Sequence, residues 1–169
     1  MAERTVMGEA DIGRALTRMS HEVLEANKGH ENLVLLGIPT RGAVLGARMR
    51  DTIRQITGHD VPLGTLDVTL YRDDLDRHPT RATAPSLPPA GGVDDRTVVL
   101  VDDVLYSGRT IRAALNAVAD LGRPRAVRLA TLVDRGHREL PIRPDYVGRN
   151  LPSSSRERVN VRLVEVDGE

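Results

Sequence analysis

Val98-Val99-Leu100-Val101-Asp102-Asp103-Val104-Leu105-Tyr106-Ser107-Gly108-Arg109-Thr110 is the stretch on which the fold turns. Its four leading apolar residues read as a strand buried on both faces, the pattern of a parallel sheet. The strand delivers two adjacent acids, Asp102 and Asp103, at its carboxyl end. A short turn holding Ser107, Gly108 and Thr110 then opens a helix. In an open α/β sheet, ligands sit outside the carboxyl ends of the strands. The turn offers backbone amides, hydroxyls and a helix N-terminus to an anion. The acids have the wrong sign for an anion, so they need another partner, such as sugar hydroxyls or a metal. Taken alone, the pattern also fits a strand end whose acids and small residues cap a helix.

Working outward, Ile12, Leu16, Met19 and Val23 recur at helical spacing within Asp11 to Lys28, and Gly29 is a helix stop. Leu33-Val34-Leu35-Leu36-Gly37-Ile38 reads as a second doubly buried strand. Val44 to Thr57 reads as a helix with Val44, Leu45, Ile53 and Ile56 inward. Leu66, Val68 and Leu70 alternate with polar neighbours as a half-buried strand up to Tyr71. From Arg72 to Arg96 the pattern collapses into Pro79, Pro85, Pro88, Pro89, Gly91 and Gly92. So long a loop in a compact domain is either functional or a passive insertion.

Beyond the central stretch, Ile111, Leu115, Val118 and Leu121 mark a helix ended by Gly122 and Pro124. Val127 to Val133 is another strand. Asp134 to Ser155, with Pro141, Pro144 and Pro152, is irregular. Val159 to Val166 reads as a final alternating strand. The expectation is a single 1–169 domain of α/β class. A parallel sheet is flanked by helices, with a lid loop at about 72–96 and a small cap, or hood, at about 134–158.

Composition narrows the chemistry. The 169 residues include no Cys, which excludes a disulfide framework, a Cys-ligated zinc site and a thiol nucleophile. Three Tyr are the only Phe, Trp or Tyr residues, so base recognition on aromatic platforms is nearly excluded. Basic and acidic residues balance at 24 each, so no global field draws the chain to nucleic acid or membrane. Lys28 is the one lysine. The arginine excess suits bidentate contacts with phosphate, and it equally fits plain compositional bias. No apolar run spans a membrane and no signal peptide is evident, so a cytoplasmic protein is expected.

The full run 98–110 resembles the phosphoribosyl-pyrophosphate (PRPP) signature of the type I phosphoribosyltransferases. It is neither a Walker loop nor a dinucleotide fingerprint. The resemblance implies that Asp102 and Asp103 hold the ribose hydroxyls of PRPP. Val104, Leu105, Tyr106, Ser107, Gly108, Arg109 and Thr110 wrap the 5′-phosphate. Gly37-Ile38-Pro39-Thr40-Arg41-Gly42, by itself an ordinary strand-to-helix turn, resembles the family's pyrophosphate loop. Thr40, Arg41 and Gly42 then contact the leaving group, and Arg41 joins the two acids as catalytic. The 72–96 loop resembles the family's lid, with Tyr71 and Arg72 at its entrance among the substrate contacts. Mg²⁺ is implied as cofactor, held mainly through PRPP with no certain direct protein ligand.

Leu132 to Ser153, with Leu16-Thr17-Arg18 and Thr69 to Leu75, resembles one branch of that family: bacterial regulators of pyrimidine operons that also carry uracil phosphoribosyltransferase activity. The resemblance implies uracil, PRPP and UMP or UTP as ligands and leader mRNA of pyrimidine genes as partner. It also implies a homodimer or larger assembly. Val133, Asp134 and Arg135 are the expected surroundings of uracil. An ordinary ion pair of Asp134 with Arg135 stands beside that reading, and no residue is marked as a general base. The RNA candidates are Arg14, Thr17, Arg18 and His21 on the outer face of the first helix, with Lys28 in line, and Arg138, Arg143 and Arg149 in the cap. From spacing alone, the helix face reads first as solvated. Arg149 stands where relatives are expected to carry lysine, and Ala26 where they carry arginine. Three functions fit: enzyme and RNA-binding regulator together, a purely catalytic salvage phosphoribosyltransferase, or a regulator that only senses nucleotide.

Overall fold

The structure, a computed structural model, describes residues 3–71, 86–154 and 156–168, without the side chain of Leu70. Five strands form one parallel sheet: β1 (Leu33–Gly37), β2 (Leu63–Thr65), β3 (Thr97–Leu105), β4 (Ala126–Asp134) and β5 (Tyr146–Asn150). Their order is β2-β1-β3-β4-β5. Every residue of β1 is buried, as are the first six of β3. Alternation within these strands sorts their side chains between two cores. Leu33, Leu35, Val99 and Val101 pack with α1 (Glu9–Asn27) and α2 (Arg41–Thr57). Val34, Leu36, Val98 and Leu100 pack with α3 (Arg109–Leu121). Each such side chain contributes about 1.5–3 kcal/mol relative to leaving it exposed.

The termini of α1 follow local chemistry. The Gly8 amide donates to the Asp11 carboxylate at 2.9 Å. Lys28 adopts the left-handed conformation, and the Gly29 amide returns to the Leu24 carbonyl at 2.9 Å, closing the helix. Helix α2 starts at Arg41, three residues before the expected Val44, so Arg41 and Gly42 belong to a helical first turn. Ile56, expected inward, and Leu115, one of the residues that marked α3, stand 39% and 41% exposed. In α3 the buried stripe is centred on Ala113, Ala114 and Ala117, which rotates Leu115 outward.

Three expected elements differ. The strand over Leu66 to Tyr71 is displaced: the ladder ends with β2 at Thr65. The Asp67 carboxylate accepts from the amide and hydroxyl of Thr69, at 2.9 and 2.7 Å, and turns the chain into the 3₁₀ helix Thr69–Tyr71. The Leu66 amide makes one last bond to the Gly37 carbonyl at 3.0 Å, and beyond it the alternation of the buried Leu66 and Val68 reflects packing without a ladder. The final strand over Val159 to Val166 is likewise absent. Val161 and Leu163 bury themselves against the α1–α2 core, and Val164–Asp167 forms a short helix, α4. Conversely β5 lies inside the segment expected to be irregular. Asp145 docks it, exchanging hydrogen bonds with Leu129: amide to carbonyl and amide to carboxylate, both at 2.8 Å.

The expected lid falls mostly outside the described residues, since 72–85, Arg72 included, are among those not described. Residues 86–96 are anchored. Leu87 and Thr65 exchange backbone hydrogen bonds at 2.9 and 3.0 Å, the Ser86 hydroxyl receives the Asp67 amide, and Val93 is 1% exposed. This part is sheet-edge structure.

Candidate functional site

The strand β3 runs through the acids rather than ending before them. Asp102 pairs with Thr131 of β4, and Val104 with Val133. Asp102 is therefore buried, where a strand-end reading expects exposure, and Asp103 is half-buried. The pair satisfies nearby amides itself: Asp102 accepts from the Asp103 amide at 2.9 Å, and Asp103 from the Val104 amide at 2.8 Å. Burial, and next the charge of Asp103, push the Asp102 carboxyl well above the usual carboxylate range.

The 38–42 turn is clamped beside these acids. The Ile38 amide donates to the Val101 carbonyl at 2.9 Å. A Cβ on Gly42 would lie 2.4 Å from that carbonyl oxygen and 3.1 Å from the Asp102 Cα. Only glycine lets the first turn of α2 approach β3 so closely. The peptide between Pro39 and Thr40 is cis. Arg41 is turned toward α4, where it pairs with Asp167.

Gly108, at φ 94°, caps α3 and turns the chain out of β3. A Cβ there would meet the Ile142 and Leu140 side chains at 3.4–3.5 Å. The turn is fastened to the segment between β4 and β5. The Ser107 carbonyl accepts the Glu139 and Leu140 amides at 2.9 and 3.1 Å, and Arg109 Nε donates to the Glu139 carboxylate at 2.7 Å. Arg138 reaches the Tyr106 carbonyl at 2.9 Å. Arg135 lies 4.3 Å from the centre of the Tyr106 ring, a cation–π contact. Thr110 lies exposed in the first turn of α3.

Thus Thr40, Arg41, Gly42, Asp102, Asp103 and the 104–110 turn converge on one sheet edge, with Val133 and Asp134 alongside through β4. Tyr71 is not brought there. Its hydroxyl hydrogen-bonds Asp120, roughly 16 Å along α3 from Arg109. The ion pair of Asp134 is with Arg138, at 2.6 Å, not with Arg135. Arg135 instead donates to Ser153 Oγ and to the Ser154 and Glu157 carbonyls at 2.6–3.0 Å.

The basic candidates form one neighbouring surface. Arg18 on α1 donates to the Val147 and Gly148 carbonyls of β5 at 3.1 and 2.6 Å. Arg149 of β5 reaches back to the Val6 carbonyl at 2.8 Å. Arg14 pairs with Asp11 at 2.5 Å, the Thr17 hydroxyl donates to the Gly13 carbonyl, and His21 is exposed. Arg138 and Arg143 line an adjacent open cavity of about 480 Å³ with Asp134, Ile142, Val147 and Asn150. The internal duties of Arg18, Arg135 and Arg138, and the Arg41–Asp167 pair, are invisible in sequence. Each joins groups without periodic or motif relation.

Residues 9–164 match the family described as phosphoribosyl transferase domain. A Leifsonia xyli subsp. xyli protein named Bifunctional protein PyrR is 62% identical, covering 100% of this chain and 94% of its own. Streptomyces coelicolor and Clostridioides difficile proteins of the same name are 62% and 55% identical over 98% and 97% of this chain, and 86% and 93% of theirs. The hypoxanthine phosphoribosyltransferase structure of Trypanosoma cruzi superposes with a TM-score of 0.70 at 18% identity, covering 89% of this chain and 83% of that one. That of Staphylococcus aureus gives 0.66 at 16% identity, over 90% and 80%. The solved structures bear on the fold; the named relatives bear on more.

Proposed function

We propose, from the premise that this chain belongs to the phosphoribosyl transferase family, that it transfers phosphoribose from PRPP to uracil and regulates pyrimidine genes by binding their leader mRNA when a uridine nucleotide is bound. The observation that carries the transfer activity is the convergence of Asp102 and Asp103, the 38–42 turn and the 106–108 turn at one sheet edge. Relatives named Bifunctional protein PyrR, matched over nearly the whole chain, support the second function.

In this reading the amides of the 106–108 turn and the start of α3 bind the 5′-phosphate. Asp103 and Asp102 receive the ribose hydroxyls. The raised Asp102 carboxyl favours its protonated form more than an ordinary carboxylate does, so it is suited to donate as well as accept. The first turn of α2 and Arg41 face the diphosphate and strengthen their contacts as negative charge leaves. N1 of uracil, held near Val133 and Asp134, forms its bond to the anomeric carbon as the carbon–oxygen bond to diphosphate breaks and the N1 proton is released to solvent, giving UMP and diphosphate. Orientation of this kind supplies up to ~7–11 kcal/mol in the best cases.

Among the described residues no group of three or more His, Asp or Glu side chains is arranged to hold a metal. The half-buried Asp103 and the buried Asp102, adjacent at the site, are the carboxylates beside which a divalent cation brought by PRPP would be held. A Mg²⁺ ion held there would supply positive charge against the diphosphate as it leaves.

The RNA surface we assign is the joined face of α1 and β5, with Arg14, Thr17, His21 and Arg149, and Arg143 in the adjacent cavity. With so few aromatics, recognition rests on arginine and polar contacts to loop bases and backbone. A purely catalytic chain is the second reading, because Arg18 and Arg138 already bind carbonyls within the chain. Cytoplasmic location and a homodimer or larger assembly belong to the same proposal. Among the described residues no helix is long and apolar enough to cross a membrane. The deciding experiment pairs a uracil, PRPP and Mg²⁺ assay with leader-RNA binding with and without UMP. UMP formation with UMP-enhanced RNA binding supports the proposal; UMP formation without RNA binding leaves the catalytic reading; neither overturns both.

A further inference from the structure

We infer that Arg138 is a positioning residue for the phosphate turn, acting through the Tyr106 carbonyl and Asp134 rather than by touching a ligand. The inference rests on the 106–108 turn being the 5′-phosphate site.

The guanidinium of Arg138 is divided among three parts of the molecule. Nε donates to the Ile142 carbonyl at 2.7 Å in the hood. Nη2 donates to Asp134 Oδ2 at 2.6 Å at the end of β4. Nη1 donates to the Tyr106 carbonyl at 2.9 Å at the start of the turn, with a longer contact to the Gly136 carbonyl at 3.4 Å. The side chains of Arg138 and Asp134 are only 24% and 14% exposed. A planar fork donating to three acceptors fixes their separations, which a flexible ammonium does not. Asp134 is braced in turn, since its other oxygen accepts the Gly136 amide at 3.0 Å.

The consequence for the turn follows from peptide geometry. In a trans peptide, the carbonyl and the next amide point in opposite directions. Arg138 draws the Tyr106 carbonyl to the hood, and the Glu139 and Leu140 amides draw the Ser107 carbonyl the same way. The amides of Ser107 and Gly108 are thereby turned away from the hood, toward the side where an anion is received at the start of α3. Two successive amides aimed together form an anion-binding concavity. Arg138 supplies the only charged donor among these hood-to-turn carbonyl contacts in the described residues.

An arginine that worked by its charge on RNA or on a ligand would be replaceable by lysine. One that works by its fork is not. The test compares Arg138→Lys and Arg138→Gln with the wild-type chain. Both should raise KM for PRPP about tenfold with kcat changed less than about threefold, as expected when ground-state and transition-state binding weaken together. By calorimetry, both should weaken UMP binding by a similar factor and leave uridine, which lacks the phosphate, nearly unaffected. Protection against thermal unfolding by inorganic phosphate should shrink alongside. If Arg138→Gln does not fold, Arg138→Lys carries the comparison, because it keeps a positive charge beside Asp134. Wild-type KM and UMP affinity in Arg138→Lys would overturn the inference and leave charge alone as the role. Equal losses of UMP and uridine affinity would also overturn it, since they mark general damage to the fold. If the wild-type chain forms no UMP, yet inorganic phosphate protects it and not the variants, the proposed activity fails while the positioning role stands.

Discussion

Arg41 and Asp167, 126 positions apart, form a two-point ion pair: Nη2 donates to Oδ1 at 2.6 Å and Nε to Oδ2 at 3.3 Å. Arg48, two turns further along α2, pairs with Glu165 in the same way. The acidic helix α4 therefore lies across α2 and occupies the edge of the guanidinium with which Arg41 would grip a diphosphate.

The first prediction follows from that competition. Asp167→Asn should lower KM for PRPP and tighten inorganic diphosphate binding by about two- to fivefold, the range an exposed ion pair allows. Arg41→Gln should weaken both. Diphosphate inhibition constants measured for the two variants check it, and opposite changes would show that Asp167 orients Arg41 for its ligand.

The pH response of that contact has a definite sign. Hydrogen bonds from Arg41 and the Leu163 amide hold the Asp167 carboxyl below its usual value. The stability from this depression is complete above the unfolded value of about 3.9 and is lost as pH falls through the lower folded value. Release of α4, followed by the Asp167 carboxyl resonance in NMR, is expected only below about pH 4, with no change across neutral pH.

Asp102 has the opposite sign. Its folded pKa lies above the unfolded one, so ionisation opposes folding, and the penalty fades as pH falls toward the unfolded value. Asp102→Asn should melt higher than wild type at pH 8, on a scale of about 2–4 °C per kcal/mol, with a smaller gap toward pH 5. Its kcat/KM with PRPP should fall by up to about tenfold, the worth of one hydrogen bond. Thermal melts at the two pH values and steady-state kinetics test both halves.

Close approach of backbone to backbone predicts the cost at Gly42. A Cβ 2.4 Å from the Val101 carbonyl oxygen forces α2 off β3, so Gly42→Ala should lose about 1–3 kcal/mol and raise KM for PRPP. Gly13→Ala is the control: nothing lies within 4 Å of a Cβ there, and the α1 interior should gain about 0.5–1 kcal/mol. Denaturant unfolding of both variants provides the comparison.

The two arginines of the outer α1 face should separate. Arg18 ties two β5 carbonyls, so Arg18→Gln is expected to cost about 1 kcal/mol. Arg14 meets only Asp11 among its described contacts, and Arg14→Gln should change stability by less than about 0.5 kcal/mol. If the face binds RNA, Arg14→Gln lowers affinity and makes its salt dependence shallower. Binding isotherms at two salt concentrations measure this.

What the sequence by itself determined is everything carried by neighbouring residues. Continuous apolar runs marked β1 and β3, helical spacing marked the main helices, and the unbroken stretch 98–110 marked the acids and the turn that opens α3. These are short-range patterns, set by backbone geometry and by which face meets the core. The same alternation misled at 66–71 and 159–166. Period-two burial records packing, whereas a strand also needs a ladder partner, and partners are distant in the chain. β5 escaped notice because an edge strand of five residues carries too short a pattern, its place being decided by docking Asp145 against Leu129. Only the tertiary structure decided that Asp102 is buried, that Asp167 holds Arg41, and that Arg138 joins Asp134 to the Tyr106 carbonyl. Long side chains choose their partners after the sheet has assembled, from acceptors that the parallel crossovers bring within reach, and no local spacing along the chain encodes that choice.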